Sequence, residues 1–196
     1  MSGIQRAFEA VAGGDAAAFS SVVEATSPQL YRLAARMLGD LGEAEDVLQD
    51  AYVRAFDALR SGRFDGRSSP ETWLYRIVTN AALDAMQARK RRRWWGLGGG
   101  GRRGEPSEPG PGGEAEVAEH AEQVSSAEHL AAREALRELE GWMADLPPEQ
   151  RTALILKELE GLPTSEVATI MGSSVGAVEQ RLVRARAALR RRSEDG

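Results

Sequence analysis

Residues 96–113 read GLGGGGRRGEPSEPGPGG, and this string constrains the fold more than any other part of the chain. Glycine has the most backbone entropy to lose and proline lacks an amide donor, so no register of such a segment forms a packed helix or strand. It reads as a flexible linker that continues, acidic, to residue 126, and it divides the 196 residues into an N-terminal domain, 1–95, and a C-terminal domain, 127–196. The glycines by themselves suggest a phosphate-cradling loop. No Gly-Lys-Ser/Thr follows them and no strand pattern precedes them, which sets that reading aside.

On both sides of the linker the periodicity is helical, so the expected fold is all-α: an N-terminal helical bundle and a C-terminal helix-turn-helix. Before the linker, helices are expected over 15–25, 27–38 (opening at Ser27-Pro28), 40–59 and from Ser69-Pro70 to residue 95. Asp40 with Glu43 forms a capping box, and Gly39 is placed to end the preceding helix. After the linker, helices are expected over 127–143, 148–160, 165–171 and 175–192.

The stretch TWLYRIVTNAALDAMQARKRRRWW, residues 72–95, joins aromatic side chains to five consecutive cations, Arg89 to Arg93. Leu74, Ile77, Val78, Ala81 and Ala85 fall on one apolar stripe, with Trp73, Arg76, Asn80, Asp84, Gln87 and Arg91 on a neighbouring polar face. Like charges this close repel unless a polyanion relieves them, so the segment points to nucleic acid. The net charge of −5 does not oppose this, because it is unevenly spread. Residues 1–95 carry 13 basic and 12 acidic groups, 96–140 carry 4 and 10, and 141–196 carry 8 and 8. Local potential decides where a polyanion docks.

In the C-terminal domain Thr164 is placed to cap the short helix SEVATIM, Gly172 ends it, and Ser173-Ser174 caps VGAVEQRLVRARAALRRR. Val175, Val178, Leu182, Ala185 and Leu189 make the expected buried stripe. Ala177, Gln180, Arg184 and Arg191 lie opposite, with Arg181 at the edge, where arginine can pair with guanine and glutamine with adenine.

With both segments in hand, the chain resembles the extracytoplasmic-function (ECF) group of bacterial RNA polymerase sigma factors. AEDVLQDAYVRAF (44–56) and SSPETWLYRIVTNAALD (68–84) resemble that family's second conserved region, and residues 146–190, beginning LPPEQRTALILKELEGLPTSEVA, its fourth. The resemblance implies a protein that binds polymerase core and directs promoter-specific initiation, controlled by an anti-sigma factor. It also implies that Asp46, Gln49, Asp50 and Val53, on the outer face of the helix over 40–59, grip the β′ coiled coil. Arg67, Ser68, Trp73, Arg76 and Asn80 would hold the opened minus-ten strand, with Arg89, Lys90 and Arg91 on its phosphates. Ala177, Gln180, Arg181 and Arg184 would read the minus-35 element, and the helix over 148–160 would dock on the β flap. The chain departs from the family at Ala177-Val178-Glu179, where relatives commonly carry a lysine; Glu179 can accept from cytosine N4 or lie off the interface.

The competing expectation is a stand-alone helix-turn-helix regulator. Enzyme chemistry is not expected: cysteine is absent, and His120 and His129 lie nine positions apart, not on one helical face. No metal or cofactor is expected. No apolar stretch approaches the roughly 20 residues of a membrane span and the N-terminus lacks a signal-peptide core, so no membrane insertion and a cytoplasmic location are expected.

Overall fold

A computed structural model describes residues 2–94 and 126–195, all of whose regular elements are helical. Residues 96–125 of the expected linker, with His120, lie outside the described residues, and so does the side chain of His129. The helices are α1 (Gly3–Ala12), α2 (Phe19–Leu38), α3 (Leu41–Arg60), α4 (Pro70–Trp94), α5 (Ser126–Asp145), α6 (Pro148–Leu154), α7 (Thr164–Ile170) and α8 (Val175–Asp195).

Helix α1 is not among the sequence expectations, although Ile4, Ala7, Phe8 and Val11 recur at helical spacing. The Ser2 hydroxyl caps it by accepting from the Gln5 amide at 3.1 Å, and Ala7, Phe8 and Val11 are buried. Helix α2 also corrects the reading. Ser27-Pro28 does not open a helix; one helix runs from Phe19 through Pro28 to Leu38. Interior proline breaks a helical hydrogen bond and normally ends the segment. Here Val22, Thr26, Leu30, Leu33, Ala34 and Met37 form one buried face across the proline, and Thr26 Oγ1 bonds back to the Val22 carbonyl at 2.7 Å and to Tyr52 Oη at 2.8 Å. Burial of that face outweighs the local penalty.

Gly39 ends α2 at φ 69° and Asp40 caps α3, its carboxylate accepting from the Glu43 amide at 2.9 Å. The reciprocal half of the capping box is replaced: Glu43 faces Arg89 of α4 at 3.5 Å. The helical pattern of 40–59 puts Ala44, Val47, Leu48, Ala51, Ala55 and Leu59 on one stripe; in α3 all are buried except Val47, which is half-buried. Ser69 caps α4 as expected, accepting from the Thr72 amide at 3.1 Å. Helices α2, α3 and α4 pack on one another, with α1 laid across them.

In the C-terminal half Pro147, not a polar residue, precedes α6, and α6 runs on as a π-helical turn, Ile155–Leu159. Thr164 begins α7 and makes no cap; Pro163 precedes it. Gly172, at φ 60°, turns the chain and Ser174 caps α8, accepting from the Ala177 amide at 3.2 Å. Val178, Leu182 and Ala185 of α8 are buried, but Val175 is 43% exposed: at the first turn it has no helix above it to pack on.

The two halves pack against each other. Helix α4 meets α6 and α7, and the buried apolar residues of both halves form one continuous cluster.

Candidate functional site

Three surfaces carry the residues singled out from the sequence. On α3, Asp46, Gln49, Asp50 and Val53 all face solvent, and Val53 is 61% exposed. The opposite face, with Ala44, Leu48, Ala51, Ala55 and Leu59, is buried, so the helix presents an acidic strip that ends on an exposed valine.

The second surface is the loop before α4 and the outer side of α4. Arg67 is exposed and pairs with Asp65, at 3.3 Å, while Ser68 is half-buried. Arg76, Asn80, Arg89, Lys90 and Arg91 are exposed on α4. Trp73 differs from the free polar face expected. Its ring packs edge-on against Phe8 and Phe64, with centroids 5.7 and 5.2 Å apart, and it is half-buried. The cluster fixes one edge of the indole and the loop at Phe64 together, leaving only the remaining edge for contact.

The third surface is α8. Gln180 and Arg184 are exposed, and Ala177 is half-buried beside them. Arg181 is turned inward: its Nε and Nη2 donate to one Glu149 oxygen at 3.1 and 2.9 Å, and its Nη1 is enclosed without a partner. Arg186 pairs with Glu158, and Arg192 with Asp145 at 2.7 Å. Three of the six arginines of α8 therefore hold it to the rest of its own half. Arg184, Arg190 and Arg191 have no carboxylate partner among the described residues.

These surfaces are not equally open. Ala177, Gln180, Arg181 and Arg184 share a cleft of about 420 Å³ with Gln87 and Lys90 of α4 and with residues 147–150. Polar contacts also join the two halves. Glu160, whose side chain is 7% exposed, accepts from Arg36 Nη1 at 2.6 Å and from Tyr75 Oη at 3.0 Å. Thr72 Oγ1 donates to Glu166 at 2.6 Å, and buried Arg151 donates from Nη2 to the Arg36 carbonyl at 2.7 Å. Burial, then the Glu160 carboxylate, hold the Tyr75 hydroxyl far above a tyrosine's ordinary pKa, so it remains a donor. Burial, then the nearby Arg89, pull Arg151 below the ordinary arginine value.

Arg36, Tyr75, Glu149, Arg151 and Glu160 were not singled out from the sequence. A signal exists for Arg151, which falls at an inward position of the 148–160 pattern. The other four look like ordinary surface residues until their partners, 32 to 124 positions away, are brought beside them.

Among the described residues no helix is long and apolar enough to cross a membrane, and no group of three or more His, Cys, Asp or Glu side chains could hold a metal ion.

Comparison with known proteins gives the same division. Residues 22–93 match the family profile for sigma-70 region 2, and residues 135–189 that for sigma-70 region 4. The chain is 35% identical over 189 residues to the RNA polymerase sigma-H factor of Pseudomonas aeruginosa, covering 94% of this chain and 91% of that one. It is 30% identical over 192 residues to the ECF RNA polymerase sigma factor SigW of Bacillus subtilis, covering 98% and 97%. Among solved structures it is similar to the sigma factor RpoE of Bartonella quintana, determined in complex with the anti-sigma factor NepR, at 25% identity and a TM-score of 0.59 over 88% of this chain and 94% of that one.

Proposed function

The chain belongs to the sigma-70 family, in its extracytoplasmic-function group, and on that premise we propose how its surfaces divide the work of starting transcription. It is a sigma factor that binds RNA polymerase core and directs promoter-specific initiation under the control of an anti-sigma factor. The N-terminal domain, 1–95, contacts core and the minus-ten element, and the C-terminal domain, 127–196, contacts the minus-35 element, with residues 96–126 as the connection.

Asp46, Gln49, Asp50 and Val53 on α3 engage the coiled coil of the β′ subunit. Arg67, Ser68, the free edge of Trp73, Arg76 and Asn80 hold the unpaired minus-ten strand by stacking and hydrogen bonds, while Arg89, Lys90 and Arg91 take its phosphates. Gln180 and Arg184 read minus-35 base edges beside Ala177, with Arg181 held at the border by Glu149, and α6 docks on the β flap. Binding energy alone drives these steps, with no cofactor.

The observation that carries the reading is the match of each conserved region to a half bearing the corresponding surface: an exposed acidic strip on α3 in one, and a capped helix-turn-helix in the other. The test is run-off transcription by purified core polymerase on a library of promoter fragments, with and without this protein. Transcripts that require the protein are expected. Specific DNA binding without any such transcripts would overturn the reading in favour of a stand-alone regulator.

A further inference from the structure

Resting on the sigma-factor reading, we propose that Glu179 and Val183 complete the face of α8 that reads the upstream promoter element, Glu179 accepting from a cytosine amino group and Val183 packing on a thymine methyl. The two edges of the helix differ. About 100° to one side of Gln180 lies Arg181. Its Nε and Nη2 are held by Glu149 of the same half, its Nη1 is enclosed, and Ala177 on that side is half-buried. About 100° to the other side lies Glu179, which is exposed, and between it and Gln180 stands Val183, 64% exposed. Glu179, Val183, Gln180 and Arg184 therefore form one continuous exposed face spanning about 140°, displaced away from Arg181.

Glu179 has no structural task on that face. It lies beyond the first turn of α8, where a helix dipole favours an acid. The residues one turn away are Val175, Gly176, Leu182 and Val183, none of them a cation, and no ion pair reaches Glu179 among the described residues. Beside a duplex an unpaired carboxylate is repelled by the phosphates, so it lowers affinity for every sequence alike unless a base donates to it. Cytosine N4 is the donor that suits it. Adenine N6 lies between two acceptors, its own N7 and the thymine O4, which repel a carboxylate.

Val183 adds the apolar half of the same reading. Its branched side chain is stiff in a helix, so its methyl groups are held in place, and the thymine 5-methyl is the apolar group that the major groove offers them. One helical turn separates Glu179 from Val183, about 6 Å along the axis, which corresponds to about two base steps of 3.4 Å. The upstream element should thus prefer a cytosine and a thymine within about two base pairs of each other, beside the pairs met by Gln180 and Arg184.

Holoenzyme assembled from core and the full-length chain tests this on promoters with a randomised upstream element, the transcribed fragments being sequenced. Glu179→Gln should lose about tenfold of the preference for cytosine at one base pair, in favour of adenine, with the minus-ten preferences unchanged. In the selected promoter, deoxyuridine in place of the preferred thymine removes only the methyl. It should lower the affinity of the wild-type holoenzyme about fourfold, the scale of burying one methyl, and leave that of Val183→Ala unaltered. Val183→Thr, which keeps one methyl, should fall between. The deoxyuridine substitution acts on the DNA and so reads the wild-type protein without any change of fold; circular dichroism verifies the variants. An unchanged cytosine preference in folded Glu179→Gln overturns the role of Glu179. A wild-type holoenzyme indifferent to deoxyuridine, or an equal effect in Val183→Ala, overturns that of Val183. Either result leaves the sigma-factor reading in place, whereas the absence of any transcript that requires the wild-type chain overturns both.

Discussion

The outer face of α3 and the reading face of α8 are both candidate contact surfaces, but they are built differently. Helix α3 buries its inner stripe against α2 and α4 within its own half, and Asp46, Gln49, Asp50 and Val53 stand in solvent whatever the other half does. Helix α8 is carried by two short helices that depend on the N-terminal half: Arg151 of α6 is buried on the Arg36 carbonyl, and α7 is tied to Thr72. Long helices with their own core make an unconditional surface, whereas short ones make a surface whose availability depends on what they lean on.

The most forceful way to break that contrast is to weaken the N-terminal core itself. Phe8 is 1% exposed and supports both Phe64 and Trp73. Phe8→Ala should cost about 3–5 kcal/mol in urea unfolding and loosen the minus-ten surface. A loss under about 1 kcal/mol would show that α1 is dispensable to the half it caps.

Asp50→Arg probes the open surface alone. Core affinity should fall by roughly 2 kcal/mol, the scale of an interface hot spot, while thermal stability moves by less than about 0.5 kcal/mol. Equal binding by the variant, measured by competition for core, would move the contact elsewhere on α3.

The conditional surface is sharpened by comparing Arg184→Ala with Arg181→Ala. Arg184 is exposed and should lose about 1–3 kcal/mol of discrimination at one minus-35 base pair, read on a randomised upstream element. Arg181, held by Glu149, should lose some stability between α6 and α8 with a smaller change in base preference. The reverse ranking would mean that Arg181 leaves Glu149 when DNA binds.

The smallest expected effect is at high pH. The folded chain keeps the Tyr75 proton to higher pH than the unfolded chain, where tyrosine ionises near 10. Its contribution is thus complete below about pH 10 and declines as pH rises further. Tyr75→Phe should flatten that decline, leaving the part due to Tyr52, also raised, chiefly by burial. An identical slope in the variant would detach Tyr75 from the contact between the halves.

Much of each half was legible from sequence because its determinants are local. The α3 stripe, the Asp40 and Ser69 caps and the turn at Gly172 each rest on residues within a few positions, and all form. What was missed depends on distant partners. Pro28 reads as a helix start until the buried face on either side of it meets α3 and α4. Trp73 reads as a free aromatic until Phe8, from an unexpected α1, reaches it. Arg181 reads as a base contact until Glu149 is beside it, and Arg36 and Glu160, 124 positions apart, carry no mark of each other at all.

The π-helical turn at Ile155–Leu159 lets the C-terminal half hold one residue more without changing how it meets the other. A π turn is wider than an α turn and takes up the extra residue within itself, so the residues after it keep nearly the phase of a helix one residue shorter. Deleting a single residue there would restore α geometry and leave Glu160 facing Arg36 and Tyr75. Deleting one from the α-helical turns of α6 instead would swing it by roughly 100°, the angular step of one residue in an α-helix. The relative pose of the two halves thus tolerates a change of length at this one turn and not beside it.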